Sequence, residues 1–304
     1  MKVKNKTHFL IVGGKYGQMA NRLFSFSHYI ASAIEHNFGV INLYFDEYNR
    51  FFNSTSSNNF LGYPIFINIY KSKFLHKISQ KLSLLLFHFL SIVLPCSPFH
   101  EILRIDKSND KNGVDYNLDS DEFVSILHAK KLVFVKGWRF RAKLSFKKHQ
   151  DIIRQLFQPL DIYKNNIDKL IQYCRNNVDI LVGVHIRKGD YKEYSNGIYY
   201  YDLDIYAEKM LQLSNILSQQ GTSVGFLLCS NENIELHYFN GLQIFLATNH
   251  PIEDLYELSH CDYIIGPPST YSMWASFMGK VPLCIIDRKD KNITDLNSFR
   301  IING

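Results

Sequence analysis

The chain is short of cysteine, of blocked charge and of long apolar runs, and each shortage excludes something. Five cysteines stand in 304 residues, Cys96, Cys174, Cys229, Cys261 and Cys284, with no C-x-x-C pair and an odd total. That spacing builds neither a zinc site nor a disulfide framework, and it points to reduced thiols packed in apolar runs. No run of five or six like charges occurs, which disfavours a nucleic-acid-binding arm although the net charge is +6. The longest apolar stretch, 82–94, is interrupted by Ser83, His88 and Ser91 and ended by Pro95. It falls short of the ~20 residues that a spanning helix needs. The basic start, Met1 to Lys6, leads only into the short apolar run Phe9 to Val12, too little for a secretory signal core. A cytoplasmic location is therefore expected.

What remains is ordinary globular material. Apolar residues make up 46% and charged residues 20%. At roughly 100–200 residues per domain, the length suggests two domains. The mild positive excess suits a small anionic ligand or an anionic surface. The basic patch Lys71, Lys73, Lys77 and Lys81 precedes the 82–94 stretch. That stretch reads first as a buried core helix. Its alternative is an interfacial helix, with 71–94 making a peripheral contact at the inner face of a membrane.

Strand and helix signals alternate along much of the chain. Phe9–Val12 reads as a buried strand ending at Gly13-Gly14. Met19, Leu23, Phe26, Ile30 and Ile34 then recur at helical spacing, predicting a helix over about 20–36 that Asn37 and Gly39 stop, before a strand at 40–44. Residues 46–120 carry polar clusters at 53–59 and 109–113 and no motif, so they read as a helical insertion shaping an acceptor site. A strand at 132–135 and a helix at about 148–157 come next, then a link at 158–166. Beyond it, strands are expected at 180–186, 224–229, 243–246, 263–266 and 282–286. Helices are expected at 203–217, 232–238, 252–259 and 272–278. Such alternation predicts an α/β protein with parallel sheets, whose ligands sit at the carboxyl ends of the strands.

Three polar loops follow expected strands at those ends. The first runs from Gly13 to Arg22, where Gly13, Gly14 and Gly17 let backbone N–H groups approach an anion ahead of a helix N-terminus. The G-x-G-x-x-G pattern is missing, which argues against a dinucleotide-dependent oxidoreductase. The second, His185-Ile186-Arg187-Lys188-Gly189-Asp190-Tyr191, delivers four polar groups directly after a buried strand. Arg187 can fork onto a pyrophosphate, Lys188 adds a point charge, and His185 can donate to a phosphate or sugar oxygen. Asp190 can hold the arginine or accept from a sugar hydroxyl. The third, 266–272, offers Ser269, Thr270 and the first amides of a helix as a phosphate nest, a geometry shared with simple helix capping. Asp254, at the start of a helix, is either a helix-terminus charge or an acceptor for the edge of a guanine.

Together these loops resemble the α-1,2-fucosyltransferase family and its α-1,6 and protein O-fucosyltransferase relatives. The family's His-x-Arg-Arg-Gly-Asp-Tyr appears at 185–191, with Lys188 in place of the second arginine. Its Gly-Asn-Gln-Leu-Phe turn corresponds to Ala20-Asn21-Arg22-Leu23-Phe24. Its last motif corresponds to Asp254-Leu255-Tyr256 followed by Ser269-Thr270-Tyr271-Ser272-Met273-Trp274. The departures at Ala20, Lys188 and Met273 mark a divergent branch. The resemblance implies a GT-B-like fold of two Rossmann-like domains facing a cleft. Residues 1–165 would serve the acceptor and 166–304 the donor. It implies GDP-β-L-fucose as donor, a glycan acceptor, inversion at the sugar, and no metal or other cofactor; a membrane contact through 71–94 would suit a lipid-linked acceptor. Arg187, His185 and Asp190 are then the catalytic group. Gly14, Gly17, Asn21, Arg22, Lys188, Asp254, Ser269, Thr270 and Tyr271 line the donor. No nucleic-acid partner is expected.

Two other readings use different residues. A metal-dependent GT-A transferase would hold its cation with Asp-x-Asp, found here as Asp202-Leu203-Asp204 and Asp119-Ser120-Asp121, although Asp also favours helix starts. A non-catalytic nucleotide-sugar or glycan-binding module would keep the loops and lose the chemistry.

Overall fold

The computed structural model describes residues 8–68, 72–94, 96–105, 113–218, 221–248 and 250–304. The basic N-terminus Met1 to Lys6, Lys71, Pro95 and most of the polar cluster at 109–113 lie outside the described residues. The chain divides into two compact units, Met1–Leu160 with Asn303–Gly304, and Asp161–Ile302.

The first unit is built on a five-stranded sheet. Its strands are β1 (Phe9–Val12), β2 (Gly39–Ile41), β3 (Ile65–Phe66), β4 (His100–Arg104) and β6 (Leu132–Lys136), in the order β3-β2-β1-β6-β4. Every pairing in it is parallel, with Phe9 of β1 opposite both Gly39 and Leu132. A small parallel pair, β5 (Tyr116–Asn117) with β7 (Phe140–Arg141), stands apart. The helices are α1 (Met19–His36), α2 (Asn53–Ser56), α3 (Lys73–Val93), α4 (Asp121–Ala129) and α5 (Lys143–Leu156). Along α1, Leu23, Phe26 and Ile30 are fully buried at helical spacing. The helix ends where Asn37 turns left-handed at φ 60° and returns its N–H to the carbonyl of Ala33. Phe26, Phe45, Phe52 and Phe157 interlock beneath it, with ring centroids 5.1–6.3 Å apart.

The second unit repeats the plan with cleaner alternation. In chain order come α6 (Asp161–Arg175), β8 (Ile180–Ile186), α7 (Leu203–Leu217), β9 (Val224–Ser230), β10 (Gln243–Leu246), α8 (Glu253–Leu258), β11 (Tyr263–Gly266), α9 (Thr270–Gly279) and β12 (Leu283–Ile285). The sheet is again all parallel, in the order β10-β9-β8-β11-β12. Val182, Val184, Phe226, Leu228 and Ile265 from its strands pack with Tyr206, Met210 and Leu213 of α7. Because the chain steps from β8 to β9 on one side and returns to β11 on the other, the order reverses between β8 and β11. Their carboxyl ends open the crevice where such sheets bind ligands.

Several expectations are corrected. The strand expected at 40–44 stops at Ile41, because the Asn42 side chain accepts the N–H of Tyr44 and starts a 3₁₀ turn at Leu43–Phe45. The helix expected at 148–157 starts at Lys143, because the Asp119 carboxylate, far away in sequence, accepts the N–H of Leu144 at 2.8 Å. The link expected at 158–166 ends at Leu160. α6 comes directly after it, a helix that buries only Ile167 and Cys174 and so carries little apolar signal. The expected helix at 232–238 is reduced to a 3₁₀ turn at Leu236–Phe239. The 82–94 stretch is not a buried core helix: it is the second half of α3, whose outer face is exposed. Four cysteines are buried, but Cys96 is exposed.

Candidate functional site

The site is built around the end of β8. Seven residues of this strand, ILVGVHI, are flanked on both edges, and its last residues are fully inside. A central parallel strand of this kind gives the loop at its carboxyl end a rigid base. His185 lies opposite Cys229 of β9 and is 5% exposed. Burial, with the charge of Arg187 adding to it, lowers its pKa to about 3, so the ring is neutral at physiological pH. Its Nδ1 is buried and has no hydrogen-bond partner within the protein. The ring packs on Tyr271 with centroids 5.0 Å apart. A neutral imidazole with an unmet nitrogen acts as a hydrogen-bonding group, not as a cation.

Arg187 emerges two residues later. Its guanidinium contacts Asp190 Oδ1 at 2.7 Å and lies 5.3 Å from the centre of the Tyr191 ring. Asp190 thus forms an ion pair with the arginine. Lys188 turns another way: its Nζ donates to the carbonyl of Tyr201 at 2.8 Å and stands over the Tyr200 ring at 4.5 Å. Its backbone N–H donates to Asn231 Oδ1 at 3.0 Å. Gly189 is left-handed at φ +57°, and a Cβ there would stand 2.8 Å from the Asn231 amide, so the turn requires glycine.

The loop after β11 meets this one. The Tyr191 hydroxyl donates to the carbonyl of Pro268 at 2.6 Å. Gly266 lets the backbones close in, since a Cβ on it would stand 2.9 Å from both Cβ and O of His185. Ser269 caps α9, its hydroxyl accepting the N–H of Tyr271 at 3.2 Å, and Thr270 opens the helix. Arg187, His185, Asp190, Ser269, Thr270 and Tyr271 thus belong to two loops tied to each other at one edge of one sheet.

Asp254 borders the same neighbourhood. It is 5% exposed, and its Oδ1 accepts the N–H of His250 at 3.1 Å and the hydroxyl of Thr248 at 3.4 Å. Those bonds serve the start of α8. Burial pushes the Tyr271 hydroxyl well above its ordinary range, Asp254 adds to the push, and Arg187 opposes it. One turn along α8, burial and the charges of Asp254 and Glu253 raise Glu257 to about 8. Burial and its acidic neighbours thus favour its protonated form.

The first loop belongs to the other unit. Gly17 is left-handed at φ +64°, and a Cβ there would collide with the Asn21 side chain. Arg22 donates to the carbonyl of Gly17 at 3.0 Å and to Glu47 at 2.8 Å, and lies 5.0 Å from the centre of the Tyr48 ring. Lys15 also pairs with Glu47, and these cations hold that carboxyl below its usual range, Lys15 foremost. Gly14, Tyr16, Arg22, Tyr29 and Tyr44 line a pocket at the carboxyl ends of β1 and β2.

Sequence reasoning missed several supporting residues. Asn231 holds the turn at Lys188, and its signal was the polar cluster Ser230-Asn231-Glu232 directly after a strand. The Tyr206 hydroxyl receives the Arg187 N–H at 3.4 Å, and Glu47 gathers Lys15 and Arg22. Neither carries a local signature. Both Asp-x-Asp pairs sit at helix starts. Asp119 accepts from Leu144 and Ser145, while Asp202 occupies the N-cap position of α7 and Asp204 accepts the N–H of Ile205. Among the described residues, no group of three or more His, Cys, Asp or Glu is arranged to hold a metal ion.

Within the second unit, a basic loop and a hydroxyl-capped helix start meet at one switch point, an arrangement suited to an anionic ligand. Residues 73–287 match the profile of glycosyl transferase family 11, and the chain belongs to that family. Solved structures agree in fold. Fucosyltransferase NodZ from Bradyrhizobium superposes with a TM-score of 0.56 at 12% identity, over 92% of this chain and 96% of its own. A mutant FUT1 of Arabidopsis thaliana in complex with GDP gives 0.55 at 12%, over 96% and 73%. POFUT1 in complex with GDP gives 0.54 at 10%, over 92% and 99%. At such identities the likeness speaks for the fold alone. No curated protein matches the sequence.

Proposed function

We propose that the chain moves L-fucose from GDP-β-L-fucose to a hydroxyl of a glycan acceptor, in α-1,2 linkage, with inversion and without a divalent cation. The observation that carries this reading is the meeting of the His185–Tyr191 loop with the Ser269–Tyr271 loop at the β8/β11 switch point. Family membership and the GDP found in the FUT1 and POFUT1 structures support it. NodZ has also been soaked with GDP-fucose.

In this reading the acceptor hydroxyl oxygen attacks the anomeric carbon as the bond from that carbon to the β-phosphate oxygen breaks, and the hydroxyl proton passes to the departing phosphate or to solvent. Negative charge gathers on the departing GDP. Arg187 takes it up, exchanging part of its contact with Asp190 for the phosphate. The Ser269 and Thr270 hydroxyls and the first amides of α9 add donors. Asp190 positions Arg187 against the ring of Tyr191. His185, neutral, uses its unmet Nδ1 on the sugar or pyrophosphate. Lys188 braces the loop against Tyr201 and contributes background positive charge. Asp254 and Tyr271 border the base, and Asp254 accepts from guanine. Gly14, Gly17, Asn21 and Arg22 of the first unit are assigned, as the resemblance implies, to donor binding. The division into donor and acceptor domains near residues 160–166 belongs to the same reading.

A panel of nucleotide sugars tested by thermal unfolding checks the donor. GDP-fucose at ~100 times its dissociation constant should stabilise the chain by about 2.7 kcal/mol, GDP alone should stabilise it too, and UDP-sugars should do little. The shift, and transfer itself, should persist in EDTA. Stabilisation by a UDP-sugar instead, or transfer that EDTA abolishes and Mg²⁺ restores, would overturn the reading.

A further inference from the structure

α3 leaves uncovered what most helices bury. Its inner face holds His76 and Phe87 at 6% and 0% exposure, while Phe74, Leu82, Leu85, Phe89, Ile92 and Val93 are 59–79% exposed. Positions 74, 78, 82, 85, 89 and 92 succeed one another by three or four residues, so they form one stripe along the helix. At 1.5 Å per residue, 21 residues make a stripe about 31 Å long. Leu94 and Phe99, which follow the helix in sequence, are themselves 47% and 51% exposed. A contiguous apolar surface of this kind marks an interaction site.

The charges around the stripe indicate what covers it. Residues 72–94 contain no Asp or Glu. Lys77 and Lys81 are exposed, and the helical step sets both along one edge of the stripe. Arg104 and Lys136 flank the helix at the Phe87 ring, 5.3 and 5.2 Å from its centre. A second copy of the chain would bring the same acid-free, cationic helix against itself. An anionic surface would not. Among the described residues, no helix is long and apolar enough to cross a membrane. We propose that α3 lies flat on an anionic lipid surface, with its Phe, Leu and Ile stripe at the acyl boundary and Lys77 and Lys81 among the head groups.

The placement has a consequence for the pocket of the first unit. On the inner face of α3, Phe87 packs so closely on Gly13 that a Cβ there would stand 3.0 Å from its ring. The lipid-facing helix is therefore fixed to the glycine turn whose next residue, Gly14, lines that pocket with Tyr16 and Arg22. An acceptor glycan carried on a lipid would arrive beside this turn. That consequence rests on the proposed transfer reaction; the docking itself does not.

Flotation of the full chain with vesicles tests the docking. The wild type should float with phosphatidylglycerol–phosphatidylcholine vesicles and much less with phosphatidylcholine alone, and salt should weaken the binding. Leu85→Glu with Phe89→Glu should abolish flotation. Lys77→Glu with Lys81→Glu should cut the anionic-vesicle partition coefficient roughly tenfold or more. All four side chains are exposed, so urea midpoints and the thermal shift with GDP-fucose should match the wild type. A lost donor shift would report on the transferase reading instead. Absence of wild-type flotation on anionic vesicles would overturn the proposal. So would unchanged flotation of the Leu85/Phe89 variant, or a dimer in sedimentation that Phe89→Glu dissociates without any vesicle binding.

Discussion

Glu257 shows what a single buried carboxyl does to the whole molecule. It is fully buried, its Oε2 has no hydrogen-bond partner, and its folded pKa of about 8 stands above the ordinary 4.5. Between those values the unfolded chain has released the proton while the folded chain keeps it. The folded state then binds more protons, so stability falls as pH rises from about 4.5 to 8. Glu257→Gln keeps the shape and removes the titration. Urea unfolding at pH 5 and pH 8 should show the variant gaining on the wild type by an amount on the order of a few kcal/mol at the higher pH. Parallel pH curves for the two proteins would contradict it. At this scale the sequence was readable where chemistry clusters. Arg187, His185 and Asp190 stand together in six residues, and Arg187 and Asp190 pair locally. It was not readable where a partner comes from far away. Neither Glu47 beneath Arg22 nor Tyr206 behind Arg187 is marked by its own neighbours in the chain.

Elements divide along the same line. β8, β10, β11 and α7 have the bounds expected of them, because each is an apolar run or stripe between polar breakers. β3 and β4 escape notice: one is two residues long, and the other, HEILR, is an edge strand with charged residues in it. α6 hides because it buries few side chains. α5 starts earlier than its sequence suggests because its cap is imported. Asp119 accepts the N–H groups of Leu144 and Ser145 and the Ser145 hydroxyl. Asp119→Ala should therefore cost about 1–2 kcal/mol in urea unfolding, while Asp121→Ala, whose carboxylate holds no such cap, should cost less. Equal losses would mean that the long-range cap does not hold α5.

For the whole molecule, the organising fact is that two parallel sheets each end in a polar loop at the carboxyl edge of a central strand. The second sheet gathers a guanidinium paired with Asp190, a neutral imidazole with an unmet nitrogen, and a helix start capped by Ser269. The direct measurement is transfer from GDP-fucose, in EDTA, by the wild type and by Arg187→Ala at matched urea midpoints. Removing one preorganised donor of this kind costs about 2.7–4 kcal/mol, so kcat should fall by roughly 10²–10³ with the fold intact. An Arg187→Ala enzyme that still transfers within a few-fold of the wild type would contradict the account.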